Sequence, residues 1–206
     1  NVIPVYREIL ADLLTPVSVF MKLKGDYSYL LESVEGQEKI ARFSFIGIEP
    51  SVIFKSRGRA VELIEDGRKR AFLTDSPLKE IARVMQGFKP ACIKELPRFS
   101  GGLVGYMGYD MVRFFEDIPD ENMDPLGIED SIFILADNHV IFDRLTHRIK
   151  IMANGYIKDI DKGTKRIGEI YDNTVRKIDE IMERLNKPAK VRGAAKIKKR
   201  HTCRMK

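Results

Sequence analysis

Four glycines, Gly101, Gly102, Gly105 and Gly108, are the first residues whose spacing could serve chemistry. A glycine-rich loop can cradle phosphates with its backbone N–H groups, but this segment lacks the order G-x-G-x-x-G of dinucleotide-binding proteins. It also lacks a ribose-binding acid at the expected distance. Glycines recurring along a strand are more typical of a bend or of close approach by another backbone. The spacing therefore favours a structural role over a phosphate site.

Histidine and cysteine spacing does not predict a metal centre. The three histidines, His139, His147 and His201, have no metal-ligand spacing among themselves or with Cys92 and Cys203. A histidine on the surface or satisfied within a strand is the simpler interpretation of each. We therefore assign no metal site.

Acidic pairs are the remaining candidates for acid–base work. Glu116-Asp117 and Asp120-Glu121 surround Pro119, so they are more typical of a solvated loop than of a general acid and base. The sequence also supports no Ser-His-Asp or Cys-His arrangement. We therefore assign no catalytic residue.

The composition is that of a globular domain without a membrane segment. The chain has 206 residues, 44% hydrophobic and 32% charged, which is enough to bury a core. No run approaches the roughly 18 to 20 apolar residues of a membrane span, and the first residues do not resemble a signal peptide. Two cysteines are too few for a disulfide scaffold. We expect a cytoplasmic protein.

The positive charge is concentrated in one segment. The formal net charge is +6, yet residues 186–206 hold nine Lys and Arg and no acidic residue, which leaves 27 basic and 30 acidic residues, a net charge of −3, in residues 1–185. We expect residues 186–206 to be a basic tail, disordered or a truncation remnant. Because the body is acidic and no helix carries a basic stripe, the pattern argues against a nucleic-acid-binding protein.

The hydrophobic pattern predicts an α+β fold, a largely antiparallel sheet forming half of a two-sheet sandwich with a few flanking helices. Ser76 and Pro77 are typical of a helix start, and Gly87 of a left-handed helix end. Asp66-Gly67 predicts a hairpin turn. The predicted helices are in 5–14, from 77 and 162–185, and the predicted strands are in 17–23, 28–33, 41–50, 51–73 and 131–155.

Four segments, in this order, resemble the amino-terminal half of anthranilate synthase component I. They are VYREILADLLTPVSVFMKL, YSYLLESVEGQEKIARFSFIGIEP, GGLVGYMGYDMVRFFEDIP and DPLGIEDSIFILADNHVIFDRLTHRIKIM. The resemblance implies that residues 1–185 are an amino-terminal regulatory domain that binds tryptophan. The related aminodeoxychorismate synthases of the folate pathway share much of this pattern, but LLES and RFSFIG favour the tryptophan-pathway enzyme.

The resemblance implies a role in tryptophan biosynthesis. The complete enzyme converts chorismate and ammonia, which a glutamine amidotransferase partner delivers, into anthranilate and pyruvate, and it uses Mg²⁺. The family's chorismate and magnesium site lies in a carboxy-terminal half that this sequence lacks. We therefore expect no cofactor in this chain and no catalysis by the chain alone. An open alternative is a scaffold that docks onto a separately encoded catalytic half and the amidotransferase.

The resemblance also implies a feedback site for L-tryptophan at the LLES segment. Ser33 is the principal candidate contact, with Leu31 and Glu32 beside it and Arg42 and Ser44 as further candidates. A hydroxyl or carboxylate can fix the ends of an amino acid, and apolar strand residues can hold an indole. The alternative is that Ser33 caps the following turn and Glu32 is solvated.

Overall fold

The computed structural model describes residues 1–32, 42–119, 124, 126–157 and 164–188, which form two five-stranded antiparallel sheets with helices packed on them. This confirms the predicted α+β class with largely antiparallel pairing. The strands are β1 (Val2–Leu10), β2 (Ser28–Glu32), β3 (Phe43–Ile48), β4 (Val52–Arg57), β5 (Ala60–Glu65), β6 (Arg68–Leu73), β7 (Leu103–Met107), β8 (Ser131–Leu135), β9 (Asn138–Asp143) and β10 (Arg148–Tyr156). The helices are α1 (Pro16–Leu23), α2 (Pro77–Gln86) and α3 (Thr164–Asn186), and a 3₁₀ helix covers Tyr109–Phe114.

The first sheet has the order β1-β10-β9-β3-β2 and is covered on one face by α1 and α3. Ile178, Ile181 and Leu185 of α3 pack with Ile149 and Ile151 of β10 in the main core. This helix confirms the amphipathic stripe predicted for 162–185, because these side chains recur every three to four residues. None of the helices in the described ranges is long and apolar enough to cross a bilayer.

The second sheet has the order β6-β5-β4-β8-β7, and α2 packs against it. The predicted Asp66-Gly67 turn joins β5 to β6, and both residues have positive φ. Gly105 of β7 lies so close to β8 that an added Cβ would be 1.9 Å from the Ile132 carbonyl oxygen. This close approach agrees with the structural role predicted for the glycine.

Two predictions near the start of the chain are wrong: the predicted helix is a strand, and the predicted strand is a helix. Residues 5–10, predicted as helix, belong to strand β1, which pairs with β10 along its whole length. Residues 17–23, predicted as a strand, form α1, which buries Val19 and Leu23 four positions apart. Thr15 and Ser18 close a capping box at the start of this helix.

Helix α2 begins and ends at the predicted residues, but the conformation of its two ends differs from the prediction. Ser76 is the N-cap residue, but its side chain makes no capping hydrogen bond, and the N–H groups of Lys79 and Glu80 instead donate to its carbonyl oxygen. Gly87 at the other end has a φ of −71°, so the predicted left-handed helix end is wrong.

Candidate functional site

The β2–β3 hairpin places the predicted effector residues at one end of the first sheet. The register pairs Leu31 with Phe45 and Glu32 with Ser44, and β3 in turn pairs with β9. Among the described strands, β2 lies at an edge of this sheet, and Leu31 and Glu32 at its end are exposed. Ser33 lies outside the described residues.

Glu32 and Ser44 are brought together by Arg144, which follows β9. The Arg144 guanidinium forms an ion pair with the Glu32 carboxylate, and its Nη2 also donates to Ser44 Oγ at 3.2 Å. Ser44 is fully buried, whereas the Glu32 and Arg144 side chains retain 26% and 41% exposure. The charged pair therefore reaches solvent above a buried hydroxyl, and Glu32 is not simply solvated.

Arg42 forms a second ion pair beside the first, with Asp143. Its guanidinium donates two hydrogen bonds to this carboxylate, at 2.9 and 2.5 Å, and lies over the Phe43 ring. The hydrogen bond from Arg42 holds the pKa of Asp143 at about 2, below its ordinary value, and hydrogen bonds from Thr146 and from the Leu145 N–H contribute. The same hydrogen bond raises the pKa of Arg42.

The predicted residues do not all face the same side of the sheet. Because side chains alternate along a strand, Glu32 lies on the side of Leu30, which packs with the helix-covered core. Leu31 is on the other side and is 42% exposed. Arg42 lines an open cleft of about 750 Å³ on the side of Phe43, so it lies apart from the Glu32–Ser44 group.

Sequence reasoning missed the two residues that organise this region, Asp143 and Arg144. Their signal was a charged pair directly after the apolar residues Val140, Ile141 and Phe142 of β9. The backbone N–H of Arg144 donates to the Arg42 carbonyl at 2.9 Å, which fixes the turn against the start of β3. An exposed guanidinium beside an exposed carboxylate can bind the carboxylate and ammonium of an amino acid.

The buried histidine of the first sheet is structural. His139 is fully buried, with its Nδ1 3.2 Å from the Tyr29 hydroxyl and its Nε2 2.9 Å from the Ala136 carbonyl. Burial lowers its pKa to about 4, so the ring is neutral at pH 7. Among the described residues, no group of three or more His, Cys, Asp or Glu side chains could hold a metal ion.

Comparison with known proteins relates the chain to one enzyme component. No family model matches it. Anthranilate synthase component 1 of Aquifex aeolicus (strain VF5) is 42% identical over 183 residues, which are 87% of this chain and 37% of the relative. The protein of the same name from Acetivibrio thermocellus is 33% identical over 215 residues, covering 99% of this chain and 44% of the relative.

A solved structure agrees with the sequence comparison. The crystal structure of anthranilate synthase component I from Streptococcus pneumoniae TIGR4 matches with a TM-score of 0.54 and 26% identity, over 88% of this chain and 37% of that one. The chain thus spans less than half the length of these relatives. By sequence and by fold, it belongs to the family of anthranilate synthase component 1.

Proposed function

We propose that the chain is the amino-terminal regulatory part of an anthranilate synthase component 1 and that it binds L-tryptophan as a feedback effector at the end of β2. The observation that carries the proposal is the Glu32–Arg144 ion pair, partly exposed above buried Ser44 in a member of this family. Ser33 follows directly after Glu32 and is proposed as a further contact, and Arg42 as an outer one.

An amino acid can enter this ion pair without leaving a charge unpaired. Its carboxylate takes the place of Glu32 on Arg144, and its ammonium takes the place of Arg144 on Glu32, so both protein charges keep a partner. The Ser44 hydroxyl oxygen already accepts a hydrogen bond from Arg144 at this point. The site therefore favours a zwitterion over an ion of one sign.

The indole has an apolar neighbour at the same strand end. Leu31 faces the opposite side of the sheet from Glu32, but β2 is an edge strand. A ligand lying against that edge reaches Glu32 from one face and exposed Leu31 from the other. An edge position thus accounts for an effector that combines a charged head with a large apolar ring.

The complete enzyme is proposed to convert chorismate, with ammonia that a glutamine amidotransferase supplies, into anthranilate and pyruvate. The chorismate-binding half and the amidotransferase are then this chain's partners. The Mg²⁺ that the reaction uses is proposed to bind in the chorismate-binding half. The relatives named above are anthranilate synthase components, which supports this pathway over the folate pathway.

The proposal is tested by titrating the chain with L-tryptophan. Since the chain contains no tryptophan, the ligand's fluorescence is separate from that of the protein's tyrosines. Glu32→Gln should weaken binding about tenfold, as expected for the loss of one charged hydrogen bond. The matched control is Glu8→Gln, which breaks ion pairs of Glu8 with Arg148 and Lys150 elsewhere on the same sheet and should leave binding unchanged.

Equal weakening by the two variants would move the effector away from Glu32. Binding of D-tryptophan as tightly as L-tryptophan would contradict recognition of both charged ends. The pathway is tested by joining the chain to the unmatched part of the Aquifex aeolicus relative and measuring anthranilate formation from chorismate and ammonia. We expect activity that L-tryptophan inhibits.

A further inference from the structure

We propose that the outer edge of β7 pairs with an extended segment from the part of an anthranilate synthase component 1 that this chain does not match. This inference rests on the proposed function, because it identifies the surface through which the chain joins the chorismate-binding half. The matched regions cover only 37 to 44% of the relatives, so most of such an enzyme lies outside this chain.

The backbone of β7 presents N–H and C=O groups with which another strand can pair. The Ala136 N–H donates to the Gly102 carbonyl and the Gly108 N–H to the Asp130 carbonyl, in the same register that pairs β7 with β8. Hydrogen-bonded and non-hydrogen-bonded pairs alternate in an antiparallel ladder, so the N–H and C=O groups of Leu103, Gly105 and Met107 point away from β8. Within the described ranges, β8 is the only strand that pairs with β7.

The other edge strands carry protection that β7 lacks. Natural sheets guard their edges with charged residues and proline, because an unprotected edge pairs with other chains. β6 has Arg68, Lys69 and Arg70, while β1 has a proline and two charged residues and β2 ends in a glutamate. The sequence of β7, LVGYM, has neither charge nor proline. This edge is therefore built to be covered.

The end of β7 and the residues that follow it expose apolar side chains. The Tyr106 hydroxyl donates to the Glu129 carbonyl and the Gly108 N–H to the Asp130 carbonyl, so the segment before β8 adjoins the end of the strand. Met107 is 53% exposed and Tyr109 86%. Phe115 and Ile118 are further exposed apolar side chains in the segment that follows β7. Exposed apolar side chains concentrated around an open edge are typical of an interface.

Charge argues against a second copy of this chain as the occupant. The described residues between Met107 and Ser131 include six carboxylates and one arginine. Ion pairs with Arg57 and Arg113 offset two of these carboxylates, Asp124 and Asp110. Two such surfaces facing each other would bring like charges together, whereas a basic or neutral strand would not. The chemistry expected of the partner is an extended apolar segment with basic flanks.

The experiment co-produces the chain with the unmatched part of the Aquifex aeolicus relative, which carries an affinity tag. Amide hydrogen exchange of Leu103, Gly105 and Met107 is compared between the recovered complex and the chain alone. We expect these amides to slow by at least about tenfold in the complex, because they gain hydrogen bonds. The amides of Val104 and Tyr106, already bonded to β8, should change little.

Met107→Lys places a charge on the edge and should abolish recovery of the chain with the tagged partner. The matched control is Leu13→Lys, which changes another exposed apolar side chain, between β1 of the other sheet and α1, and should leave recovery intact. Failure of the wild-type chain to form a complex, or a complex whose β7 amides exchange as in the chain alone, overturns the inference. A homodimer with protected β7 amides also overturns it, since the occupant is then a second copy.

L-tryptophan binding, measured on the same samples, separates this inference from the proposed function. Tight L-tryptophan binding without protection of the β7 amides contradicts pairing at the β7 edge and still supports the proposed effector site. Protection of the β7 amides without tryptophan binding supports pairing at the β7 edge and contradicts the proposed effector site.

Discussion

The Arg42–Asp143 pair shows how a single ion pair can fix a strand end and a turn together. Two parallel N–H···O bonds orient the carboxylate, whose Oδ1 also accepts the N–H groups of Leu145 at 3.1 Å and Thr146 at 3.4 Å. The β9–β10 turn is therefore anchored to the residue that enters β3. Arg144 of the candidate effector site lies in this turn. The Asp143 carboxylate therefore positions Arg144 without being part of the site.

The Arg42–Asp143 ion pair predicts that the folded chain loses stability as the pH becomes acidic. The pKa of this group is lowered from 3.8 to about 2 in the folded chain, so its contribution to stability is present above pH 3.8 and is lost as pH falls toward 2. Asp143→Asn should lower the free energy of unfolding at pH 7, and its difference from wild type should shrink as pH falls through that window. Urea unfolding at a series of pH values measures this difference.

The control for that prediction is Asp26→Asn, which changes an exposed carboxylate in the loop before β2. We expect this variant to follow the wild type throughout. A difference between Asp143→Asn and wild type that stays constant down to pH 2 would contradict the ion-pair explanation.

The sequence located part of the candidate site and could not locate the rest. Glu32 and Ser44 followed from the resemblance, and the structure brings both to one guanidinium. Arg144 is 112 residues from Glu32, and a charged residue in a turn has the same local pattern whether it is solvated or paired. Only the sheet order, which places β9 beside β3, brings these side chains together.

At the scale of elements, the exchange of strand and helix near the start of the chain has a clear cause. Val5 and Ile9 are four residues apart, a spacing that lies on one face of a helix and equally on one face of a strand. Pairing with β10 over nine residues decides for the strand. For α1 the decisive signal was Thr15-Pro16, which marks a helix start when the threonine caps it. Elements with distinctive turns or long stripes, such as the β5–β6 hairpin and α3, were predicted correctly.

The approach of β7 to β8 predicts that Gly105 tolerates no side chain. A Cβ there would lie 1.9 Å from the Ile132 carbonyl oxygen and 2.7 Å from the Phe133 Cα, and both are backbone atoms. Gly105→Ala should therefore destabilise the chain by about 1–3 kcal/mol, the usual range for overpacking. Chemical denaturation measures the loss.

Gly25→Ala is the matched control, because a Cβ at Gly25 meets no atom within 4 Å. This variant should remain within about 0.5 kcal/mol of wild type, as most surface changes do. An equal effect of the two variants would mean that β7 can shift away from β8 at little cost.

At the scale of the whole molecule, the two sheets are connected where the chain passes between them, and Asp137 lies at that junction. It stands between β8 of one sheet and β9 of the other, and it accepts the N–H of Ser51, which stands between β3 and β4. Its second oxygen accepts the Tyr156 hydroxyl at the end of β10. One buried carboxylate thus links the β8–β9 and β3–β4 connections, where the chain passes from one sheet to the other. Burial raises the pKa of this carboxylate.

The last prediction concerns this junction. Asp137→Ala leaves the Ser51 N–H and the Tyr156 hydroxyl without their acceptor, and each unsatisfied group costs about 1–3 kcal/mol. We expect a total loss of about 2–6 kcal/mol in the free energy of unfolding, measured by urea denaturation at pH 7. Asp137→Asn should lose much less, because its amide oxygen can accept from Ser51 while its NH₂ donates to the tyrosine oxygen.

The pH dependence gives the same comparison a second readout. Because the folded pKa of Asp137 is raised, the ionised carboxylate costs native stability, so its contribution becomes less favourable as pH rises through the folded value. Asp137→Asn removes this dependence and should gain on the wild type as pH rises. If asparagine instead proved as costly as alanine at every pH, the charge of Asp137, rather than its two hydrogen bonds, would be what holds the sheets together.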